Sequence, residues 1–119
     1  IDVPTLRADA HDGVALPPRT ALDAEAISVI ADAVASRRRL TFAYAAITDG
    51  SRTPRAVHPY GLVALQGQWY LVGHDPSRGD DLAAVRMFRV TRMHDVVADQ
   101  RGATPHFAPL AGFDLAAFG

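Results

Sequence analysis

The sequence predicts a small, mainly β domain in which one N-terminal helix precedes five short antiparallel strands that bend into a barrel. Three observations support this class. Residues 23–37 repeat apolar side chains at helical spacing. From residue 40 onward, short apolar runs alternate with turn-forming segments. Closing so small a sheet into a barrel would remove the unpaired edges that it would otherwise expose.

The predicted helix covers residues 23–37 and begins at Asp23, a residue type that caps helix N-termini. Ile27, Ile30 and Val34 follow the i, i+3, i+7 rule and form one apolar stripe. Three arginines at 37–39 end the helix, where cations complement its dipole. We interpret these arginines as a helix terminus rather than as a binding patch.

The five predicted strands are short and separated by polar or glycine-containing turns. Pro59 and Gly61 require a bend or an edge position in the second strand. The strands are LTFAYAAI (40–47), RAVHPYGLVAL (55–65), QWYLVGHD (68–75), AVRMFRV (84–90) and RMHDVVAD (92–99).

A tight turn at Gln66-Gly67 sets the register of the central hairpin, because facing residues then have numbers that sum to 133. Ala64 is expected to face Trp69, Leu62 to face Leu71, and Val63 to face Tyr70. Continued without a break, the same register pairs Tyr60–Gly73, His58–Asp75 and Pro59–His74. Trp69 and Leu71 are expected in the core, whereas for Tyr70 packing and display both remain open.

Composition limits the classes of function. The chain has 119 residues and no cysteine, which fits one domain without disulfides or thiolate metal sites. It has no apolar run long enough to span a membrane and no secretory signal layout at its start, so we expect a cytoplasmic protein. All twelve basic residues are arginine, and residues 37–92 hold nine of them against four acidic residues. The middle of the chain is therefore basic.

Arginines interleaved with aromatic residues predict a site for a phosphate-bearing ligand. Guanidinium groups fork onto phosphates, and bases stack on exposed rings. Single arginines are also commonly solvated surface charges, and Arg78 could instead pair with Asp80 in its loop. The candidate residues are Arg55, His58, Tyr60, Tyr70, His74, Arg78, Arg86, Arg89 and Arg92.

Three other classes of function are weighed against ligand sensing. The five histidines match no compact ligand motif, so we predict no metal and no cofactor. His58 or His74 could form an acid–base pair with Asp75 in a hydrolase, but the chain has no nucleophile elbow and no glycine-rich phosphate loop, and we predict no enzyme. The third class is a peptide-binding or dimerisation module.

An ordered set of motifs resembles the WYL domain over about residues 24–100. The family is named for the tripeptide that stands here at Trp69-Tyr70-Leu71. The Arg-x-Val-x-Pro-x-Gly-Leu strand at 55–62 precedes it, and Arg78 to Asp80 and FRVTRM (88–93) come after it. The DLAAV segment at 81–85 departs from the family, whose members tend to run more directly into the next strand, so the register of Arg86 stays open.

The resemblance implies an Sm-like or SH3-like barrel that senses a nucleotide or single-stranded nucleic acid for a bacterial transcription regulator. It also implies that duplex DNA is bound only by a separate helix-turn-helix domain. Arg55, Arg89 and Arg92 fall on the family's recurrent basic positions.

The domain organisation that we predict has three parts. Residues 1–22 are a linker from an upstream domain, residues 23–102 are the helix and barrel, and residues 103–119 are a tail that begins a C-terminal extension. In the family that extension helps to form dimers, so a homodimer of the full-length protein is expected. Phe107 and Phe113 in the tail either pack back on the barrel or belong to that further module.

Overall fold

The computed structural model describes residues 5–7 and 21–118. It contains one α-helix and six strands, five of them antiparallel. In chain order the elements are β1 (Thr5–Arg7), α1 (Ala21–Ser36), β2 (Leu40–Ala45), β3 (Arg52–Leu65), β4 (Gln68–His74), β5 (Val85–Arg89) and β6 (Met93–Ala98).

The long strand β3 organises the sheet, whose order is β5-β4-β3-β2-β6. Its first half, from Arg52 to Val57, pairs with β2, and its second half, from His58 to Leu65, pairs with β4. The register shifts between Pro59 and Gly61. One strand can serve two partners in this way because such a bulge increases local bend and twist.

The prediction of a mainly β domain with five antiparallel strands and an N-terminal helix is confirmed, but the sheet is not closed into a barrel. Strands β5 and β6 lie wholly within the described residues and do not pair with each other. A short 3-10 helix, Val90–Arg92, joins them. The strands β5 and β6 stand at the two ends of the strand order, and only these three residues join them. The sheet is therefore strongly bent but open.

Helix α1 spans Ala21–Ser36, against the predicted 23–37. Ile30, Ala33 and Val34 are buried against the sheet. Arg37 adopts a left-handed φ of 54° and ends the helix, with its N–H bonded to Val34 O and the next N–H bonded to Ala33 O. This double hydrogen bond is a Schellman motif, in which glycine more often takes the left-handed position.

The central hairpin follows the predicted register as far as the bulge. Gln66 and Gly67 have φ values of 51° and 77°, which fit a two-residue turn with both residues left-handed. The pairs Ala64–Trp69, Val63–Tyr70 and Leu62–Leu71 are confirmed. Beyond the bulge the pairing shifts by one.

The three predicted pairs beyond the bulge are therefore wrong. Gly73 faces Pro59 rather than Tyr60, and His74 faces His58 rather than Pro59. Asp75, predicted to face His58, lies just beyond the end of β4. The extra residue of the bulge in β3 accounts for the shift, because it places two residues of β3 against one of β4.

Two apolar clusters lie on opposite faces of the sheet. The first lies between the sheet and α1 and contains Leu71, with Trp69 packed against it half-buried, as the sequence predicts. The second is covered by the C-terminal tail, from which Phe107, Leu110 and Phe113 pack over the sheet. Phe107 and Phe113 therefore contact the sheet directly.

Most of the predicted linker, residues 1–22, lies outside the described residues. Within it, the backbone of Thr5–Arg7 pairs in parallel with residues 62–64 of β3, and helix α1 begins at Ala21. In the described ranges, no helix is long and apolar enough to cross a membrane.

The bend in β3 predicts a severe effect of the substitution Gly73→Ala. A Cβ at this position would clash with the Val57 side chain and lie 2.8 Å from the carbonyl oxygen of His58. Because that oxygen is main chain and no rotamer relieves the clash, we expect the free energy of unfolding in urea to fall by about 3 kcal/mol.

The matched control is Gly50→Ala. A Cβ at Gly50 meets nothing within 4 Å, although φ is 71°. The only cost is then that of a non-glycine residue at a left-handed φ, and the free energy of unfolding should fall by about 1 kcal/mol. Equal losses for the two variants would contradict the proposed close approach of β4 to β3.

Candidate functional site

The structure brings most of the predicted site residues into two groups. One group lies along the ends of β2, β4 and β5 and is called here the tyrosine–arginine surface; it consists of Tyr44, Tyr70, Arg89 and Arg92. The other surrounds a cavity of about 470 Å³, called here the Asp75 cavity, which is lined by Arg39, Pro54, Arg55, Ala56, His58, Asp75, Pro76 and Ser77.

On the tyrosine–arginine surface, Tyr70 and Arg89 are direct cross-strand neighbours. The Arg89 guanidinium donates a hydrogen bond to the Tyr70 hydroxyl at 3.1 Å and lies 5.6 Å from the ring centroid. Its backbone N–H donates to the hydroxyl of Tyr44 at 2.9 Å. Arg89 therefore links the two tyrosines while it remains exposed.

Arg92 extends the same surface from the 3-10 helix between β5 and β6. Its guanidinium carbon lies 4.3 Å from the centroid of the Tyr44 ring, and its Nε donates to Ala45 O at 2.8 Å. The Tyr44 ring in turn meets Phe88 edge to face at 5.2 Å. The cation is thus held over a ring that the core itself holds in place.

Tyr44 is the member of this surface that the sequence analysis missed. The alternation of Leu40, Phe42 and Tyr44 predicts one strand face that points into the core. Tyr44 lies near the end of β2, where that face reaches solvent, and its ring is half-buried. The signal available in the sequence was its polar hydroxyl just before a turn.

The arginines of this region are free of carboxylate partners. Within the described ranges, no carboxylate lies within 4 Å of the guanidinium of Arg86, Arg89 or Arg92. A guanidinium without a carboxylate keeps its charge and its remaining N–H donors available for an incoming anion.

Asp75 forms the wall of the second group, and its side chain is buried. It caps the 3-10 helix Pro76–Arg78 and accepts hydrogen bonds from Ser77 N at 3.0 Å and Ser77 Oγ at 2.6 Å. The guanidinium groups of Arg78 and Arg55 lie 3.5 and 3.8 Å away. Burial alone would raise the pKa of Asp75, but the Ser77 hydrogen bonds and the two arginines together lower it.

Arg55 is incompletely satisfied. Its contact with Asp75 is long, and its buried Nε has no hydrogen-bond partner in the described part of the chain. A buried donor without an acceptor costs free energy. The Arg55 side chain as a whole is 25% exposed, so the rest of its guanidinium is open to an acceptor in the Asp75 cavity.

The two histidines have different roles in the structure. His74 is buried, and its Nε2 bonds to Gly79 O at 2.6 Å, which fixes the loop after β4. His58 lines the Asp75 cavity and stacks on Phe107 with ring centroids 4.7 Å apart. Neither histidine hydrogen-bonds Asp75, so the acid–base pair considered for a hydrolase is not assembled.

Four predicted site residues belong to neither group, namely Tyr60, His74, Arg78 and Arg86, although Arg78 contacts the carboxylate of Asp75. Tyr60 is buried at 6% exposure under the tail, and its hydroxyl accepts a hydrogen bond from Leu110 N at 2.9 Å. Arg86 is exposed on the edge strand β5 and faces Gly73, which fixes its register. Among the described residues, no three histidine or acidic side chains cluster as a metal site would require.

His58 makes the stability of the domain depend on pH. Burial, with the nearby charges of Arg39, His74 and His106, lowers the pKa of His58 from 6.5 to about 4. Between these values the unfolded chain binds a proton that the folded chain does not bind. The free energy of unfolding should therefore be at its full value above pH 6.5 and should fall as the pH is lowered to about 4.

Urea unfolding at several pH values should show this slope, and His58→Gln should remove it. Arg39→Gln should raise the pKa of His58, followed by NMR titration of its ring, and should make the slope smaller. An unchanged slope in His58→Gln would contradict this account.

Comparisons with known proteins identify the family of this chain. The family model described as WYL domain matches residues 25–98. The chain is 36% identical over 72 residues to Protein PafB of Mycobacterium leprae, covering 60% of this chain and 20% of that protein. It is 33% identical over 91 residues to Protein PafB of Mycobacterium tuberculosis, covering 76% and 26%.

A solved structure has the same fold. It is that of Proteasome accessory factor B/C (PafBC) of Arthrobacter aurescens, with a TM-score of 0.69, 34% identity and coverage of 92% of this chain and 17% of that one. The chain thus spans about a quarter or less of the length of these relatives. The match over residues 25–98 and the shared fold show that the chain belongs to the WYL domain family.

Proposed function

We propose that this domain is the ligand-sensing part of a bacterial transcription regulator and that it binds a nucleotide or single-stranded nucleic acid. The observation that carries the proposal is the tyrosine–arginine surface, where two guanidinium groups that have no carboxylate partner among the described residues lie against two tyrosine rings. Membership of the WYL family supports the regulatory role. We also propose that the protein is cytoplasmic.

The chemistry of the surface suits such a ligand. Arginine forks bind phosphate oxygens, and rings offer a plane on which a base can stack, worth about 1–3 kcal/mol per base. Arg89 and Arg92 are already held in place by Tyr70, Tyr44 and the carbonyl of Ala45. Less side-chain entropy is therefore lost when they bind a ligand.

The Asp75 cavity supplies a second group of cations for the same ligand class. Arg55 and Arg39 both line this cavity, and Arg55 Nε has no hydrogen-bond partner among the described residues. We propose that a phosphate of the ligand enters here, where it would accept from Arg55 and compete with Asp75 for the guanidinium.

Regulation would proceed by population shift in the longer protein. A ligand that binds one arrangement of the domains more tightly changes DNA affinity by that preference and no more. Duplex DNA would be recognised by a helix-turn-helix domain elsewhere in the longer protein, and that protein would form a homodimer.

The alternative is a protein-interaction or dimerisation module, in which the half-buried tyrosines would contact another chain. The absence of carboxylates near Arg86, Arg89 and Arg92 in the described part favours an anionic ligand. A hydrolytic role has less support, because Ser77, Arg55 and Arg78 already engage the carboxylate of Asp75.

Fluorescence anisotropy with a labelled single-stranded ten-mer tests the proposal. If about three arginines contact phosphates, the logarithm of affinity should fall with the logarithm of salt concentration at a slope near −2. Arg89→Ala and Arg92→Ala should each weaken binding roughly tenfold, or ~1.4 kcal/mol, and should reduce the slope by about 0.7.

Arg37→Ala is the matched control, because it removes one exposed charge at the end of α1, outside the tyrosine–arginine surface. Its effect on affinity should be small. Preference for a matched duplex, or equal losses in all three variants, would argue against the surface. Binding that does not depend on salt would favour the protein-interaction module, and turnover of nucleotides would favour an enzyme.

A further inference from the structure

The C-terminal tail, defined here as residues 103–117, is bound to the sheet at two places. Farther along the tail, Phe113 packs on Tyr60 with ring centroids 4.6 Å apart, and Leu110 N donates to the Tyr60 hydroxyl. Nearer its start, His106 and Phe107 contact residues of the Asp75 cavity. The second attachment has a consequence for ligand sensing.

His106 is held by the end of α1 and by the chain before it. Its backbone N–H donates to Arg37 O at 2.8 Å, and its ring Nδ1 accepts from the backbone N–H of Arg39 at 3.1 Å. Its Nε2 lies 2.8 Å from Arg101 O. Because Nδ1 accepts, Nε2 must carry the proton that it donates, and the ring uses both nitrogens in the neutral form.

Phe107 is held by His58. The two rings are parallel within 6° with centroids 4.7 Å apart, and the other neighbour of the His58 ring is His74, edge to face at 5.4 Å. Among the described residues, His58 forms no hydrogen bond through its ring. Stacking on Phe107 is therefore its principal attachment to the tail.

Two residues that line the Asp75 cavity, Arg39 and His58, thus hold two consecutive residues of the tail. We propose that occupancy of the Asp75 cavity by a phosphate group and docking of the tail are coupled, with the ligand tightening the tail. This inference rests on the proposed function, because it requires the same phosphate-bearing ligand.

The direction of the coupling is set by charge. An anion beside His58 favours protonation of its imidazole, whose pKa is lowered by burial and by the charge of Arg39. A cationic ring stacked on Phe107 is held more strongly than a neutral one. An anion that engages the Arg39 side chain also orders the residue whose N–H binds His106.

Coupling of this kind is reciprocal, so docking of the tail must raise affinity for the ligand by the factor by which the ligand stabilises docking. A segment joined to the end of the tail in the longer protein would then respond to the ligand without touching it. The tail would act as the output of the sensor.

Amide hydrogen exchange on the 119-residue chain tests the coupling, with a single-stranded ten-mer as the probe. Saturating ten-mer should slow exchange of the Leu110 amide at least about fivefold. In Phe107→Ala the slowing should disappear, and affinity for the ten-mer should fall by the same factor. Phe107→Leu, which keeps an apolar side chain but removes the stacked ring, should behave in the same way and guards against unfolding in Phe107→Ala.

The control is Phe113→Ala, which loosens the tail at Tyr60, away from the cavity. Its Leu110 amide should exchange faster without ligand, yet the ten-mer should slow it by the same factor as in the unmodified chain. If the ten-mer binds and Arg89→Ala weakens it, but Leu110 exchange is unchanged, the coupling is wrong and the proposed function stands. If the ten-mer does not bind at all, both fail.

Discussion

Strand β3 is the constraint on which the other elements depend. It pairs with β2 through Arg52–Val57 and with β4 through His58–Leu65, and the bulge between Pro59 and Gly61 lets it turn from one partner to the other. Gly73 makes the turn possible, because any side chain there would meet Val57 and the His58 carbonyl. Near this bend, Arg55 and His58 line the Asp75 cavity, whereas Tyr60 binds the tail. The bulge in β3 thus places residues that line the Asp75 cavity next to a residue that holds the tail.

Charge is divided unevenly over the domain. Asp75 holds Arg55 and Arg78, and Asp99 holds Arg39 and Arg101. Each of these two aspartates is shared by two arginines, so neither pair of cations is fully neutralised. Arg86, Arg89 and Arg92 have no carboxylate partner among the described residues. The basic character of residues 37–92, visible in the sequence as a count, is therefore only partly offset by ion pairs in the described structure.

The sequence predicted what depends on local chemistry and missed what depends on contacts between distant segments. The hairpin was predictable because Gln66-Gly67 fixes the register over the next few residues. The prediction failed at the bulge, where Pro59 and Gly61 indicated a bend but not the extra residue that shifts the pairing. Tyr60 resembles a displayed ring in the sequence, but Leu110, fifty residues later, binds its hydroxyl. Tyr44 was missed for the opposite reason. Its place in the alternation of β2 is that of a core residue, and only the contacts with Arg89 and Arg92, some 45 residues away in sequence, make it part of the tyrosine–arginine surface.

If the Asp75 cavity binds a phosphate as proposed, Asp75 itself would affect which anions bind. A ligand phosphate in the Asp75 cavity would meet two arginines and the Asp75 carboxylate, which Ser77 already holds. The phosphate would have to compete with this carboxylate, which loses no translational entropy because it belongs to the chain. A small monoanion gains little from that exchange, because Asp75 already neutralises part of the charge. A longer ligand can add contacts with Arg89, Arg92 and the tyrosine rings in the same binding event. Asp75 would thus weaken the binding of isolated anions. An extended, base-bearing chain would still bind, because it also contacts the tyrosine–arginine surface.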